Sequence, residues 1–203
     1  MITATEALDR LKTGNRRFVE GRSLFSEMVN EQRREKLVTG QNPWAVILGC
    51  SDSRAPAEIL FDLGLGDLFV IRVAGNVVAP SGVGSIEFAV ESYGTPLVVV
   101  LGHTNCGAIQ ATLDTLAHPE QAPSTNLNSI VSRIRPSVET LMETDLVDQP
   151  ETLAVKAMRA NVRTSVSQIR HSSPMLEQRV QSGRLKVVGA QYSLASGEVE
   201  FFC

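Results

Sequence analysis

Three short, mainly apolar runs constrain the fold of this chain more than any other feature of its sequence. They are WAVILG at 44–49, DLFVIRV at 67–73 and PLVVVLG at 96–102. Strands that are apolar at nearly every position are typical of a parallel sheet covered on both faces. Segments with helical spacing separate and follow these runs, and strands that alternate with helices predict an α/β fold.

The first 40 residues are predicted to form a helical arm. Thr3 and Glu6 make a capping box in front of apolar residues at helical spacing. A second, polar helix is expected over residues 29–39. Both helices precede the first strand, so the arm needs a surface on which to lie.

Helix signals also follow the strands. Ser81 and Asp148 are candidate N-caps, Gly94 is a candidate C-terminal stop, and Pro136 is expected to bend the helix that contains it. These signals predict helices over about 81–93, 107–117, 126–142, 150–170 and 174–181.

The two β-like runs near the end of the chain, RLKVVGAQY and GEVEFF, are predicted to form a hairpin. The sequence therefore predicts an α/β fold with a single domain over 1–203. Its mainly parallel sheet has about four parallel strands plus an antiparallel edge strand, is flanked by helices, and follows the N-terminal arm of residues 1–40.

Charge and composition exclude several classes of function. The net charge of −3 and the pI near 5.7 argue against a nucleic-acid partner. No apolar run approaches the roughly 18 residues of a membrane span, and the first residues lack the apolar core of a signal peptide. We therefore expect a cytoplasmic protein with no membrane partner. Three cysteines favour thiol or metal chemistry over a disulfide framework.

Two predicted strands end alike, in Leu-Gly-Cys50 and Leu-Gly-His103, and each is followed by a further candidate ligand, Asp52 or Cys106. The carboxyl ends of parallel strands meet at one edge of a sheet, so the four side chains are expected to converge. Two thiolates, an imidazole and a carboxylate form a donor set that suits tetrahedral zinc. The His103-x-x-Cys106 spacing matches one helical turn, and helix N-terminal charge would favour a Cys106 thiolate.

Two other interpretations of these residues stay open at this point. Buried cysteines and a core histidine could serve packing alone, since free cysteine is among the most buried residue types. Alternatively, Cys50 could be a nucleophile with His103 as its base. The nucleophile hypothesis gives no role to Cys106 or to the Asp52–Arg54 pair.

Three motifs resemble the β-class carbonic anhydrases: CSDSR at 50–54, GDLFVIRVAGN at 66–76 and GHTNCGAI at 102–109. The similarity extends from about residue 4 to residue 202. It implies an enzyme that binds one Zn²⁺ per subunit and interconverts carbon dioxide and bicarbonate by attack of a zinc-bound hydroxide. It also implies a homodimer or a dimer-of-dimers tetramer, in which the N-terminal helices embrace the partner. A carbonyl sulfide or carbon disulfide hydrolase with the same zinc site is the alternative.

The resemblance also assigns roles to individual residues. Cys50, His103 and Cys106 match the permanent zinc ligands, with Asp52 a fourth ligand only in a closed state. In the open state Asp52 pairs with Arg54, and this pair is catalytic. The resemblance implies substrate-binding roles for Gln41, Phe69, Phe88 and Gly107.

One departure from the family pattern bears on Asp52. Members controlled by bicarbonate at a non-catalytic site carry tryptophan three residues before the first cysteine ligand. Here Ile47 stands at that position, although Arg72 and Tyr192 could match the other two residues of the site. We therefore expect the open arrangement, with Asp52 off the metal.

Overall fold

The computed structural model describes residues 2–121 and 123–203, which contain a five-stranded sheet. The strands lie in the order β2-β1-β3-β4-β5, and all neighbouring pairs are parallel except β4 with β5. Four parallel strands and one antiparallel edge strand confirm the predicted fold class. The strands are β1 (Ala45–Gly49), β2 (Leu68–Arg72), β3 (Leu97–His103), β4 (Lys186–Tyr192) and β5 (Val199–Phe201).

Helices cover both faces of this sheet. They are α1 (Ala4–Val19), α2 (Phe25–Met28), α3 (Glu31–Lys36), α4 (Ala57–Leu60), α5 (Pro80–Tyr93), α6 (Gly107–Ala117), α7 (Thr125–Val138), α8 (Pro150–His171) and α9 (Pro174–Gln181). Within the described part of the chain, none of these helices combines the length and apolar character of a membrane span.

The apolar strands divide their side chains between two cores. Val98 and Val100 of β3 pack with α5 to α9, whereas Leu97, Val99 and Leu101 pack with α1 and α4. Each residue of β1 and β3 is buried. Burial on both faces explains why these two strands lack the alternation of apolar and polar residues found in one-sided sheets.

The N-terminal helix α1 lies on its own chain's sheet. The predicted capping box of Thr3 and Glu6 is confirmed. Gly14 packs so closely that a Cβ there would lie 1.7 Å from the carbonyl oxygen of Phe61. Asn15 donates to the carbonyls of Leu60 and Gly197. The same chain therefore provides part of the surface on which the arm lies. Helices α2 and α3, in contrast, consist of partly or fully exposed residues.

Several predicted helix boundaries are wrong. Ala79, not Ser81, is the N-cap of α5, and Gln149, not Asp148, is the N-cap of α8. In both helices proline occupies the first turn, where its fixed φ suits the helix and its missing N–H costs no bond. Gly94 ends α5 in the left-handed conformation with φ 65°, as predicted.

Two predicted long helices are shorter in the structure. The helix expected over 29–39 is reduced to α3, with Asn30 as its N-cap, and the short α2 precedes it. The helix expected over 126–142 ends at Val138, two residues after Pro136, and continues as a 3₁₀ turn over Glu139–Glu143. Pro136 has no N–H to donate within α7, and the α-helix changes to the 3₁₀ turn shortly after it.

A buried carboxylate joins the segment after α1 to the body of the protein. Asp62 has a fully buried side chain that accepts hydrogen bonds from Ser23 Oγ at 2.6 Å and from the Leu24 amide at 2.8 Å. Arg17 donates to its other oxygen through Nε at 2.5 Å. Burial raises the pKa of Asp62, but these hydrogen bonds outweigh it and hold the pKa below the ordinary value.

We expect Asp62→Asn to lower the free energy of unfolding by about 2 kcal/mol at pH 7, because hydrogen bonds to a buried charge are lost. Asparagine keeps the shape and tolerates the φ of 48° at this position. The folded-state pKa lies below the unfolded value of about 3.9, so the contribution is complete above about pH 5 and disappears as pH falls through the folded-state pKa. Urea unfolding of the parent and the variant at pH 7 and pH 3 measures this contribution to the free energy of unfolding. Equal stability of the variant and the parent at pH 7 would contradict this role.

Candidate metal centre

The ends of two neighbouring strands place the first two candidate ligands. Cys50 directly follows β1, and His103 is the last residue of β3. The strands are parallel, with Gly49 opposite Leu101. Their carboxyl ends therefore open at the same edge of the sheet, and the convergence expected from the sequence occurs.

Cys50, His103 and Cys106 form a compact group of possible metal ligands. One ligand atom from each residue lies within 4.8 Å of the other two, and all three residues are buried. The two sulfurs are 4.0 Å apart. Tetrahedral zinc with Zn–S bonds of about 2.3 Å places two sulfurs roughly 3.8 Å apart, so the spacing fits that ion.

The imidazole of His103 is oriented toward this group. Its Nδ1 lies 2.9 Å from the carbonyl oxygen of Thr104, which fixes the proton on Nδ1. Its Nε2 is buried and has no hydrogen-bond partner among the described residues. A buried nitrogen without a partner is costly, and a cation beside the two sulfurs would satisfy it.

The two thiols share their protons unequally. A hydrogen bond from Cys106 lowers the pKa of Cys50 to about 4, despite its burial. The same contact and burial raise the pKa of Cys106 well above its ordinary value. One proton is thus held between two sulfurs, and a divalent cation can replace it. The donor chemistry fits zinc.

Cys106 reaches the group through a turn and not through a helix. Asn105 has φ 53°, and Cys106 is the N-cap of α6. The expectation that His103 and Cys106 lie one helical turn apart is therefore wrong, although their side chains do converge. A tight turn at the end of β3 brings the second residue back over the strand end.

Asp52 lies beside the ligand group and is paired with Arg54. Its Oδ1 accepts from the amide and the Nε of Arg54 at 3.0 and 2.9 Å, and its Oδ2 accepts from Nη2 at 2.7 Å. Arg54 also donates to the carbonyl of Asn105 at 3.2 Å. The side-chain hydrogen bond from Arg54 is the largest cause of the lowered pKa of Asp52. Asp52 Oδ2 lies 3.8 Å from His103 Nε2.

Two further residues hold this site, and the sequence did not indicate this role for either of them. Arg72 donates to the carbonyls of Cys50 at 3.0 Å and Asp52 at 2.6 Å. The amide of Gly75 donates to Cys50 Sγ at 3.3 Å. The signal that could have predicted this contact is Gly75 itself. An isolated glycine after a strand indicates a backbone that approaches another group closely.

The four predicted substrate-binding residues fall in two places. Gly107 begins α6 next to Cys106. Gln41, Phe69 and Phe88 instead surround Tyr93: the aromatic ring centroids lie 5.6 to 6.4 Å apart, and Gln41 Nε2 donates to the tyrosine hydroxyl. Phe69 precedes the end of β2 by three residues, roughly 10 Å along the strand. Within one chain this aromatic cluster is separate from the metal centre.

Comparison with known proteins supports a single family. The family model described as carbonic anhydrase matches residues 45–199. A carbonic anhydrase of Mycolicibacterium smegmatis is 44% identical over 192 residues, which are 94% of this chain and 89% of that protein. The matched region contains every residue of the candidate metal centre.

Solved structures agree with the sequence comparison. A β-carbonic anhydrase of Aspergillus fumigatus superimposes with a TM-score of 0.74 at 29% identity, over 84% of this chain and 80% of that one. A tetrameric β-carbonic anhydrase of Sordaria macrospora superimposes with a TM-score of 0.76 at 23% identity, over 85% and 87% of the two chains, and supports the fold. The chain therefore belongs to the β-class carbonic anhydrases, lyases that hydrate carbon dioxide.

Proposed function

We infer that Cys50, His103 and Cys106 hold a zinc ion and that the chain reversibly hydrates carbon dioxide to bicarbonate and a proton at this site. The inference rests on the buried Nε2 of His103, which has no hydrogen-bond partner among the described residues. A ring nitrogen of this imidazole lies within 4.8 Å of two sulfurs. Zinc bound there would supply Lewis acidity, which lowers the pKa of a water molecule enough for it to attack at neutral pH.

Asp52 and Arg54 would position the attacking water. Both Asp52 oxygens accept hydrogen bonds from Arg54, so the carboxylate is turned toward the guanidinium and kept as an acceptor. Its Oδ2 remains 3.8 Å from His103 Nε2, close enough to accept a hydrogen bond from a water in the site. This bidentate contact supports the open arrangement, with Asp52 paired and not ligating.

The open arrangement predicts that bicarbonate will inhibit hydration without positive cooperativity, with a Hill coefficient near one. Ile47 offers no indole to a second bicarbonate, and Arg72 already donates to the Cys50 and Asp52 carbonyls. Initial hydration rates across a bicarbonate series measure the coefficient. Strong positive cooperativity would overturn the open arrangement and favour closure by Asp52.

A second copy of the chain is the proposed partner. The cluster of Gln41, Phe69, Phe88 and Tyr93 lies beside β2, an edge strand, and Phe88 is 53% exposed. A homodimer, or a tetramer of two dimers, would cover this cluster and place it beside the partner's metal centre, where it could line an apolar pocket for a small substrate. The exposed residues of α2 and α3 would then contact the partner as the embracing part of the arm.

Direct assay tests the substrate. We expect stopped-flow measurement with a pH indicator to give rapid hydration of carbon dioxide, and hydrolysis of carbonyl sulfide and carbon disulfide to be far slower. Carbon dioxide and these sulfur analogues can use the same metal centre, so only their relative rates separate the two activities. If either sulfur compound is hydrolysed faster than carbon dioxide is hydrated, carbon dioxide is not the preferred substrate. That result would leave the proposed zinc site unaffected.

A further inference from the structure

The turn at Ala74–Asn76 touches the metal centre through one hydrogen bond. It connects β2 to the segment before α5, and its Gly75 amide donates to Cys50 Sγ at 3.3 Å. Gly75 and Asn76 both adopt left-handed backbone conformations, with φ of 69° and 45°. Glycine adopts this region freely, but Asn76 persists there only where its surroundings hold it.

Helix α8 supplies the groups that hold this turn. Asn161 Nδ2 donates to the carbonyl of Gly75 at 2.9 Å, and Ser165 Oγ donates to the carbonyl of Asn76 at 3.4 Å. Asn161 and Ser165 are four residues apart, so they lie on the same face of the helix. Both are only 2% exposed. A buried amide that is bonded to the backbone of a distant segment fixes that segment strongly.

Two other helices close the space around Gly75. A Cβ added to Gly75 would lie 2.7 Å from Ile134 Cδ1 of α7 and 3.0 Å from Ala108 Cβ of α6. The turn is therefore enclosed by α6, α7 and α8. This enclosure sets the direction of the Gly75 amide. Asn161 contributes the hydrogen bond that is made to Gly75 itself.

We propose that Asn161 is a positioning residue for the metal centre, which holds the Gly75 carbonyl so that the Gly75 amide donates to the sulfur of Cys50. The inference rests on the proposed zinc site and extends it to a residue of α8 that does not touch the metal. A hydrogen bond to a metal-bound sulfur withdraws electron density from it and fixes its orientation. Losing such an outer partner commonly weakens metal binding by about 10- to 100-fold.

Asn161→Ala tests the proposal, with Asn15→Ala as the matched control. Asn15 is also a buried asparagine that donates to backbone carbonyls, those of Leu60 and Gly197, but it lies on the opposite face of the sheet. Zinc affinity is measured by competition with a chelator in full-length protein. The second measurement is the sulfur-to-cobalt charge-transfer absorption after cobalt(II) replaces zinc, which reports the electron density on sulfur and not the stability of the fold.

We expect Asn161→Ala to weaken zinc binding by about 10- to 100-fold and to move the cobalt band to longer wavelength, whereas Asn15→Ala changes neither. Unchanged affinity and an unchanged band in Asn161→Ala would overturn the proposal, as would an equal loss in Asn15→Ala. If Asn161→Ala does not fold, Ser165→Ala, which removes the longer of the two bonds, is expected to shift both measurements in the same direction by less. Unchanged zinc affinity and an unchanged cobalt band in Ser165→Ala would also overturn the proposal. A parent protein that binds no zinc would instead refute the proposed function.

Discussion

Cys106→Ala is expected to abolish zinc binding and to reduce carbon dioxide hydration by several orders of magnitude. Cys106 supplies one of three ligands, and its sulfur lies 4.0 Å from that of Cys50. With two ligands left, neither tetrahedral coordination nor a sufficiently acidic water can be maintained. Zinc content by atomic emission and hydration rate by stopped flow measure the two effects on the same sample.

Cys203→Ala is the matched control, because Cys203 is exposed whereas Cys50 and Cys106 are buried. We expect it to retain one zinc per chain and the full hydration rate. The comparison also separates metal chemistry from a nucleophilic Cys50. A nucleophile assisted by His103 would survive the loss of Cys106 and would not need metal. Retained activity in a zinc-free Cys106→Ala protein would therefore contradict the metal site.

Arg54→Ala has the second largest expected effect: zinc stays bound, and hydration falls by about 10²- to 10⁴-fold, the range typical for loss of a positioned proton acceptor. The substitution removes the Nε and Nη2 hydrogen bonds that hold the Asp52 carboxylate. The three ligand side chains keep their own contacts. Steady-state hydration kinetics and zinc content, measured together, distinguish loss of catalysis from loss of metal.

Two companion variants sharpen this prediction. Arg54→Lys keeps the charge but not the planar fork, so it is expected to recover only part of the rate. Arg135 also pairs with a nearby carboxylate, Glu139, on the exposed surface of α7. Arg135→Ala should leave the rate unchanged. If Arg54→Ala loses zinc as well as activity, Arg54 has a structural role and the proposed positioning of Asp52 is wrong.

The sheet was predictable because β1 and β3 up to Gly102 are apolar, and only a sheet covered on both faces can bury such strands. The metal group was predictable for a related reason. Cys50 and His103 follow strands that the sequence identifies, and the rules of parallel sheets bring the ends of those strands together. Cys106 lies three residues after His103, and the turn at Asn105 brings its side chain to those of Cys50 and His103.

Other features depend on contacts that sequence distance hides. Asn161 of α8 donates to the carbonyl of Gly75, which lies 86 residues earlier in the chain, and nothing local to either residue indicates the other. Gln41 and Phe88 meet at Tyr93 on the edge beside β2, away from the metal centre of the same chain. Local signals also compete: proline in the first turn, and not the nearby serine or aspartate, decided where α5 and α8 begin.

Metal content measured together with hydration, before and after chelation, tests the central claim most directly. We expect one zinc per chain in the purified protein and rapid hydration of carbon dioxide. Both should be lost after treatment with a strong chelator and restored by adding one equivalent of zinc. Hydration that persists in protein shown to be free of metal would contradict the assignment of Cys50, His103 and Cys106 as the catalytic zinc site.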